Sequence, residues 1–78
     1  MYQYKNYYEI IEKQNNTVIE YGISITTVLQ NPDKSEEVHK ATVHNVTSSY
    51  STILYIKDLL EENDVQWIHL KDILQDLM

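Results

Sequence analysis

Apolar and polar residues alternate at period two from residue 2 to residue 29, which predicts two strands joined by a tight turn. The first strand, about Tyr2 to Lys13, puts Tyr2, Tyr4, Tyr8 and Ile10 on one face. The second, about Thr17 to Gln30, does the same with Ile19, Tyr21, Ile23, Ile25 and Leu29, leaving Glu20, Gly22, Ser24 and Thr26 on the other. Asn15-Asn16 suits the positive φ angles of a type I′ turn. A turn there sets Tyr2, Tyr4, Tyr8 and Ile10 opposite Leu29, Thr27, Ile23 and Tyr21, so that both apolar sets share one face. Tyr7 and Ile11 fall on the polar face among Lys5, Glu9 and Lys13, where they make a small apolar patch.

Asn31-Pro32-Asp33-Lys34-Ser35 reads as a loop, because Pro cannot donate to a central ladder and Asn and Asp favour turns. A third strand follows from about Glu37 to Asn45, with Ala41 and Val43 alternating with Lys40, Thr42 and His44; its polarity suits a sheet edge. Thr47, Ser48 and Ser49 offer N-caps for a helix that presents Ile53, Ile56, Leu59 and Leu60 on one face and ends near Glu62, before Asn63-Asp64. Tyr50, Leu54 and Tyr55 widen its apolar surface beyond what one sheet needs, so either the last segment or a second subunit should cover that flank. In the last segment Leu70, Ile73, Leu74 and Leu77 recur at helical spacing, with Trp67 or Ile68 as a staple at its start. The predicted fold is therefore α+β: a three-stranded antiparallel meander followed by two C-terminal helices packed on one face, in a single small domain over residues 1–78.

A chain of 78 residues sits near the size at which one core yields only about 3–5 kcal/mol of net stability. With no cysteine, disulfides and thiolate zinc are excluded as reinforcement, which raises the expectation of a homodimer. The absence of cysteine, of a basic or apolar leader and of any spanning segment points to the cytoplasm and to no membrane. Twelve acidic residues against six basic ones, all of them lysine, give a net charge of -6. That balance argues against direct nucleic-acid binding, which needs a basic patch to neutralise phosphates. Abundant Asn, Ile, Tyr and Lys without Arg or Phe suggests an AT-rich bacterial or phage genome.

Little here predicts chemistry. The serines at 48, 49 and 51 are explained by helix capping, and no Gly-x-Ser-x-Gly elbow exists. The lone glycine, Gly22, lies in a strand, so no phosphate-cradling loop forms. Glu36-Glu37 and Glu61-Glu62 read as solvated charge in a loop and at a helix end. On a helix, His69, Asp72 and Asp76 project within about 60° of one another and offer metal ligands, with His39 or His44 as a further imidazole; an exposed helix face explains them as well. The expectation is no enzymatic activity, no cofactor and no metal.

From Tyr21-Gly22-Ile23 onward, through Val46-Thr47 and the tail His69-Leu70-Lys71-Asp72-Ile73-Leu74-Gln75-Asp76-Leu77, the chain resembles a family of small uncharacterised proteins from Gram-positive anaerobes, classed as a domain of unknown function. The family's tail is similar in its histidine-leucine pair, an aspartate three residues after the histidine, an apolar pair and another aspartate; His69, Asp72 and Asp76 match it. Where the family tends to carry a proline shortly before the histidine, this chain has Trp67. The resemblance implies a bacterial cytosolic setting and supplies no mechanism.

Three functions follow as expectations. The first is an interaction module, a small regulator or adaptor, that self-associates through helix one or an exposed edge strand, with Tyr50, Leu54, Tyr55 and Trp67 as anchors. The second is an acidic inhibitor, such as a phage-type anti-defence protein, that covers a basic protein partner with Glu61, Glu62, Asp64, Asp72 and Asp76. The third is a small-ligand or metal module centred on His69.

Overall fold

The computed structural model describes residues 3–77. Strands β1 (Gln3–Asn15), β2 (Val18–Gln30) and β3 (Glu36–Thr47) form an antiparallel meander in the order β1-β2-β3. Helix α1 (Tyr50–Glu62) follows, then a 3-10 turn (Trp67–His69) that leads into helix α2 (Leu70–Leu77). This is the α+β architecture expected from the periodicity. No described helix is long and apolar enough to cross a membrane.

The hairpin register differs from the expected one by two residues. Asn15 pairs with Val18, so the loop is Asn16-Thr17, and Tyr4, Tyr8 and Ile10 face Leu29, Ile25 and Ile23. Only Asn16 of the loop has a positive φ, 59°, so the turn is not the type I′ expected at Asn15-Asn16. Tyr2, expected opposite Leu29, lies outside the described residues. A shift of two preserves every face, which is why the pattern of apolar residues did not detect it. The observed register gains a polar match: Asn6 stands opposite Thr27, two polar residues that interrupt the apolar face at one level.

The loop after β2 is closed by the Asn31 N–H on the Ser35 carbonyl at 2.9 Å and by the Asp33 carboxylate, which accepts from the Ser35 N–H at 3.0 Å. β3 begins at Glu36, so Glu36-Glu37 belong to a strand and not to that loop. Near its end β3 breaks register between the pairs Ile23–Val43 and Tyr21–Thr47, with Asn45 at φ 57°. This bulge needs Gly22. A Cβ there would stand 2.4 Å from the Val43 carbonyl oxygen and 3.0 Å from the His44 Cα.

Ser49 caps α1, accepting from the Thr52 N–H at 3.3 Å. The helix ends in a Schellman arrangement: the Val65 N–H reaches the Leu60 carbonyl and the Asp64 N–H the Glu61 carbonyl, each at 3.1 Å. Asp64, at φ 50°, holds the position usually given to glycine. The core lies between sheet and helices, where Ile23, Ile25, Ile53, Ile56, Leu60, Val65, Leu70 and Leu74 are buried. Leu59 and Ile73 are half-buried, and Leu77 is exposed.

The core occupies one part of an elongated molecule, 49 × 22 × 17 Å. β3 pairing stops at Tyr21, and residues 12–19 are all exposed, so the tip of the hairpin projects as a two-stranded arm.

Candidate interaction surface

The apolar anchors expected to act together lie in three directions. Tyr50 packs edge-to-face on Tyr21, ring centroids 5.3 Å apart, and Tyr21 is the register partner of Glu12. At the other end of the helix, Asp64 accepts hydrogen bonds from the Tyr4 hydroxyl at 2.9 Å and the Asn6 amide at 3.0 Å. α1 therefore runs antiparallel to β1. Tyr50, Leu54, Lys57 and Glu61 follow one another at helical spacing and form one ridge. That ridge lies on the side of α1 that borders β1, the strand whose Tyr4, Asn6 and Tyr8 hold Asp64 and Val65 at the helix end. Tyr50 is 51% exposed and Leu54 37%. Tyr55, 63% exposed, lies about 100° around the helix from Leu54 and faces away from the ridge.

The last segment does not cover this flank, contrary to the first of the two expectations for it. Trp67 turns instead onto β3, stacking on His39 with centroids 4.7 Å apart and planes 14° from parallel, and it packs against the core. α2 continues along β3 through Leu70 and Leu74. Of the two residues proposed as a staple, Trp67 is in place and Ile68 is exposed.

The acidic set also divides. Asp64 is the hub of a polar chain that fastens the helices to the sheet. The Asn6 amide donates to it, the Thr27 hydroxyl donates to Asn6 Oδ1 at 2.7 Å, and the Trp67 N–H donates to the Thr27 hydroxyl at 3.2 Å. Tyr8 adds a bond to the Val65 carbonyl at 2.8 Å, and burial, seconded by the charge of Asp64, raises its pKa above the ordinary 10.0. Thr27 is fully buried, and among the described residues no buried side-chain polar atom lacks a partner, which identifies this set as a structural clamp. Glu61 pairs with Lys57 one turn before it, which raises the lysine's pKa. Glu62, Asp72 and Asp76 remain exposed.

His69 closes the 3-10 turn with its N–H on the Gln66 carbonyl at 3.1 Å, and its side chain is exposed. His39 is taken up by Trp67 and by Glu37 at 3.4 Å. Among the described residues no three potential metal ligands converge.

The clamp escaped the sequence reading, although a signal for it existed. Asn6 and Thr27 are polar residues flanked on both sides by apolar ones on that face, and only the correct register sets them opposite each other.

The fold defines a small α+β protein, a meander layered with two helices, in which Asn6, Thr27 and Asp64 fasten helix layer to sheet. The chain belongs to a family of unknown function, DUF6514, whose sequence model matches residues 1–78. That agrees with the resemblance carried by the tail from His69 to Leu77 in pointing to a family without an assigned activity. Neither the curated proteins nor the solved structures contain a match.

Proposed function

We propose that this protein is a non-enzymatic interaction module whose partner is a second copy of itself, bound through the ridge of α1 that borders β1. The observation that carries the reading is the exposure of Tyr50 and Leu54, neighbours on that ridge, which the chain's own C-terminal segment leaves uncovered. A core of eight residues in a chain without cysteine gives a second copy a thermodynamic role as well, since association adds burial that one chain this small lacks. The acidic reading has less support, because Asp64 and Glu61 are engaged within the chain.

Light scattering of the wild type and of Leu54→Glu at two concentrations tests the reading. The wild type should approach twice the monomer mass as concentration rises, while Leu54→Glu stays monomeric with an unchanged circular dichroism spectrum. A wild type that is monomeric throughout would overturn it and direct attention to Glu62, Asp72 and Asp76 and to a basic partner, whose binding would weaken with salt.

A further inference from the structure

We propose that the second copy binds along the open edge of β1, the two β1 strands pairing antiparallel about a two-fold axis at Ile11 so that two sheets become one. This rests on the self-association reading and adds the surface and the register. β1 is an edge strand of 13 residues paired to β2 without a register irregularity, and it contains no proline. Edges are ordinarily blocked by bulges, prolines or charged side chains, lysine above all. Here the outward face carries Lys5, Tyr7, Glu9, Ile11 and Lys13 in turn, so its charges alternate.

Alternation makes the edge complementary to itself in some registers and repulsive in others. In a two-fold pairing, residue i meets j and j meets i. An axis at Glu9 would oppose Lys5 to Lys13 and Glu9 to its own copy, and a parallel pairing in register would oppose every charge to its like. An axis at Ile11 opposes Glu9 to Lys13 twice, with Ile11 against itself at the centre and Tyr7 beside Asn15. An axis at Tyr7 opposes Lys5 to Glu9 twice.

Two further features favour Ile11. The projecting arm, residues 12–19, is exposed throughout, and an isolated two-stranded ribbon is marginal in water. With the axis at Ile11 the partner's β1 lies along this arm; with the axis at Tyr7 it leaves the arm bare. In a hairpin closed by a two-residue loop the closing pair is hydrogen-bonded, so the N–H groups of Glu12 and Gln14 face the open edge and would meet Ile10 and Tyr8 of the second copy. The Ile11 axis also falls near the start of α1, because Tyr50 sits over Tyr21, the partner of Glu12. The ridge residues Tyr50 and Leu54 of the two copies then approach each other on the helix side, and one interface uses both surfaces.

Charge reversal tests the register by sedimentation equilibrium. Glu9→Lys and Lys13→Glu should each weaken the dimer about tenfold, two pairs turning from attractive to repulsive, and the double variant should return to within about threefold of wild type. Lys5→Glu should leave the dimer unchanged. Because Lys13→Glu also faces Glu20 in its own hairpin, a second variant gives an independent answer. The chain has no cysteine, and residues directly opposite lie about 4.5–5.5 Å apart, within disulfide reach. Ile11→Cys should therefore oxidise rapidly to a covalent dimer, and Tyr7→Cys should not.

A dimer broken by Leu54→Glu yet indifferent to every β1 charge, with Ile11→Cys slow to cross-link, would overturn the edge pairing and leave the self-association reading standing. A double variant no better than the singles, together with sensitivity to Lys5→Glu and cross-linking through Tyr7→Cys, would overturn the Ile11 register. A wild type that never dimerises would overturn both.

Discussion

Ile25 and Ile19 stand on the same strand and the same face, yet Ile25 is 0% exposed under the helices while Ile19 is 42% exposed on the arm. The period-two pattern treats them alike. Their difference arises from where β3 and the helices stop, at the level of Tyr21, which is a property of the whole fold. A face can be read from local sequence, then, whereas the stretch of that face that is covered cannot.

Truncating each residue should expose the contrast in stability. Ile25→Ala should cost about 2–5 kcal/mol, comparable to the whole stability of so small a chain, because it leaves a cavity in the buried cluster. Ile19→Ala should cost less than about 0.5 kcal/mol, and chemical denaturation of the two variants side by side checks the contrast. Equal losses at a concentration where the protein is monomeric would mean that the arm is covered within a single chain.

Gly22 marks the boundary between the two regions. Gly22→Ala drives a methyl group into the Val43 carbonyl and should cost about 1–3 kcal/mol by lifting β3 at its bulge, which thermal melts would register. The β3 edge would lose its guard at the same time, so this variant should also aggregate more readily than wild type.

The smallest expected effect concerns Tyr8, at the root of the covered region. Its pKa is raised in the fold, so the folded state holds the phenol's proton more tightly than the unfolded chain does. The stability this contributes is complete below the ordinary value of 10.0 and is lost as pH rises through the higher folded value. Alkaline titration of stability should fall less steeply in Tyr8→Phe than in wild type above about pH 10.

The strands, both helices, a cap among Thr47, Ser48 and Ser49, and the apolar face were legible in the sequence because each rests on local periodicity or capping chemistry, while the choice of Ser49 among the three came from the fold. The register was not. A shift of two residues moves no side chain to the wrong face, so the apolar pattern is the same in both registers. What selects the observed one is tertiary: Asn6 and Thr27 opposite each other, bound to Asp64 and Trp67 from the helix layer. Asp64 illustrates the limit well. Its charge assigns it to a surface, yet its left-handed backbone and two hydrogen bonds to β1 make it the clasp between α1 and the sheet. The proposed surface was half legible: Tyr50 and Leu54 share a ridge, while the helical turn carries Tyr55 away from them and the path of the chain takes Trp67 to β3.

If a second copy completes the arm that one chain leaves bare, amide hydrogen exchange of the wild type at two concentrations will show it. Glu12 and Gln14 should exchange freely when dilute and become protected as concentration rises, while Ile23 and Ile25 stay protected throughout. Equally rapid exchange of Glu12 and Gln14 at both concentrations would contradict it.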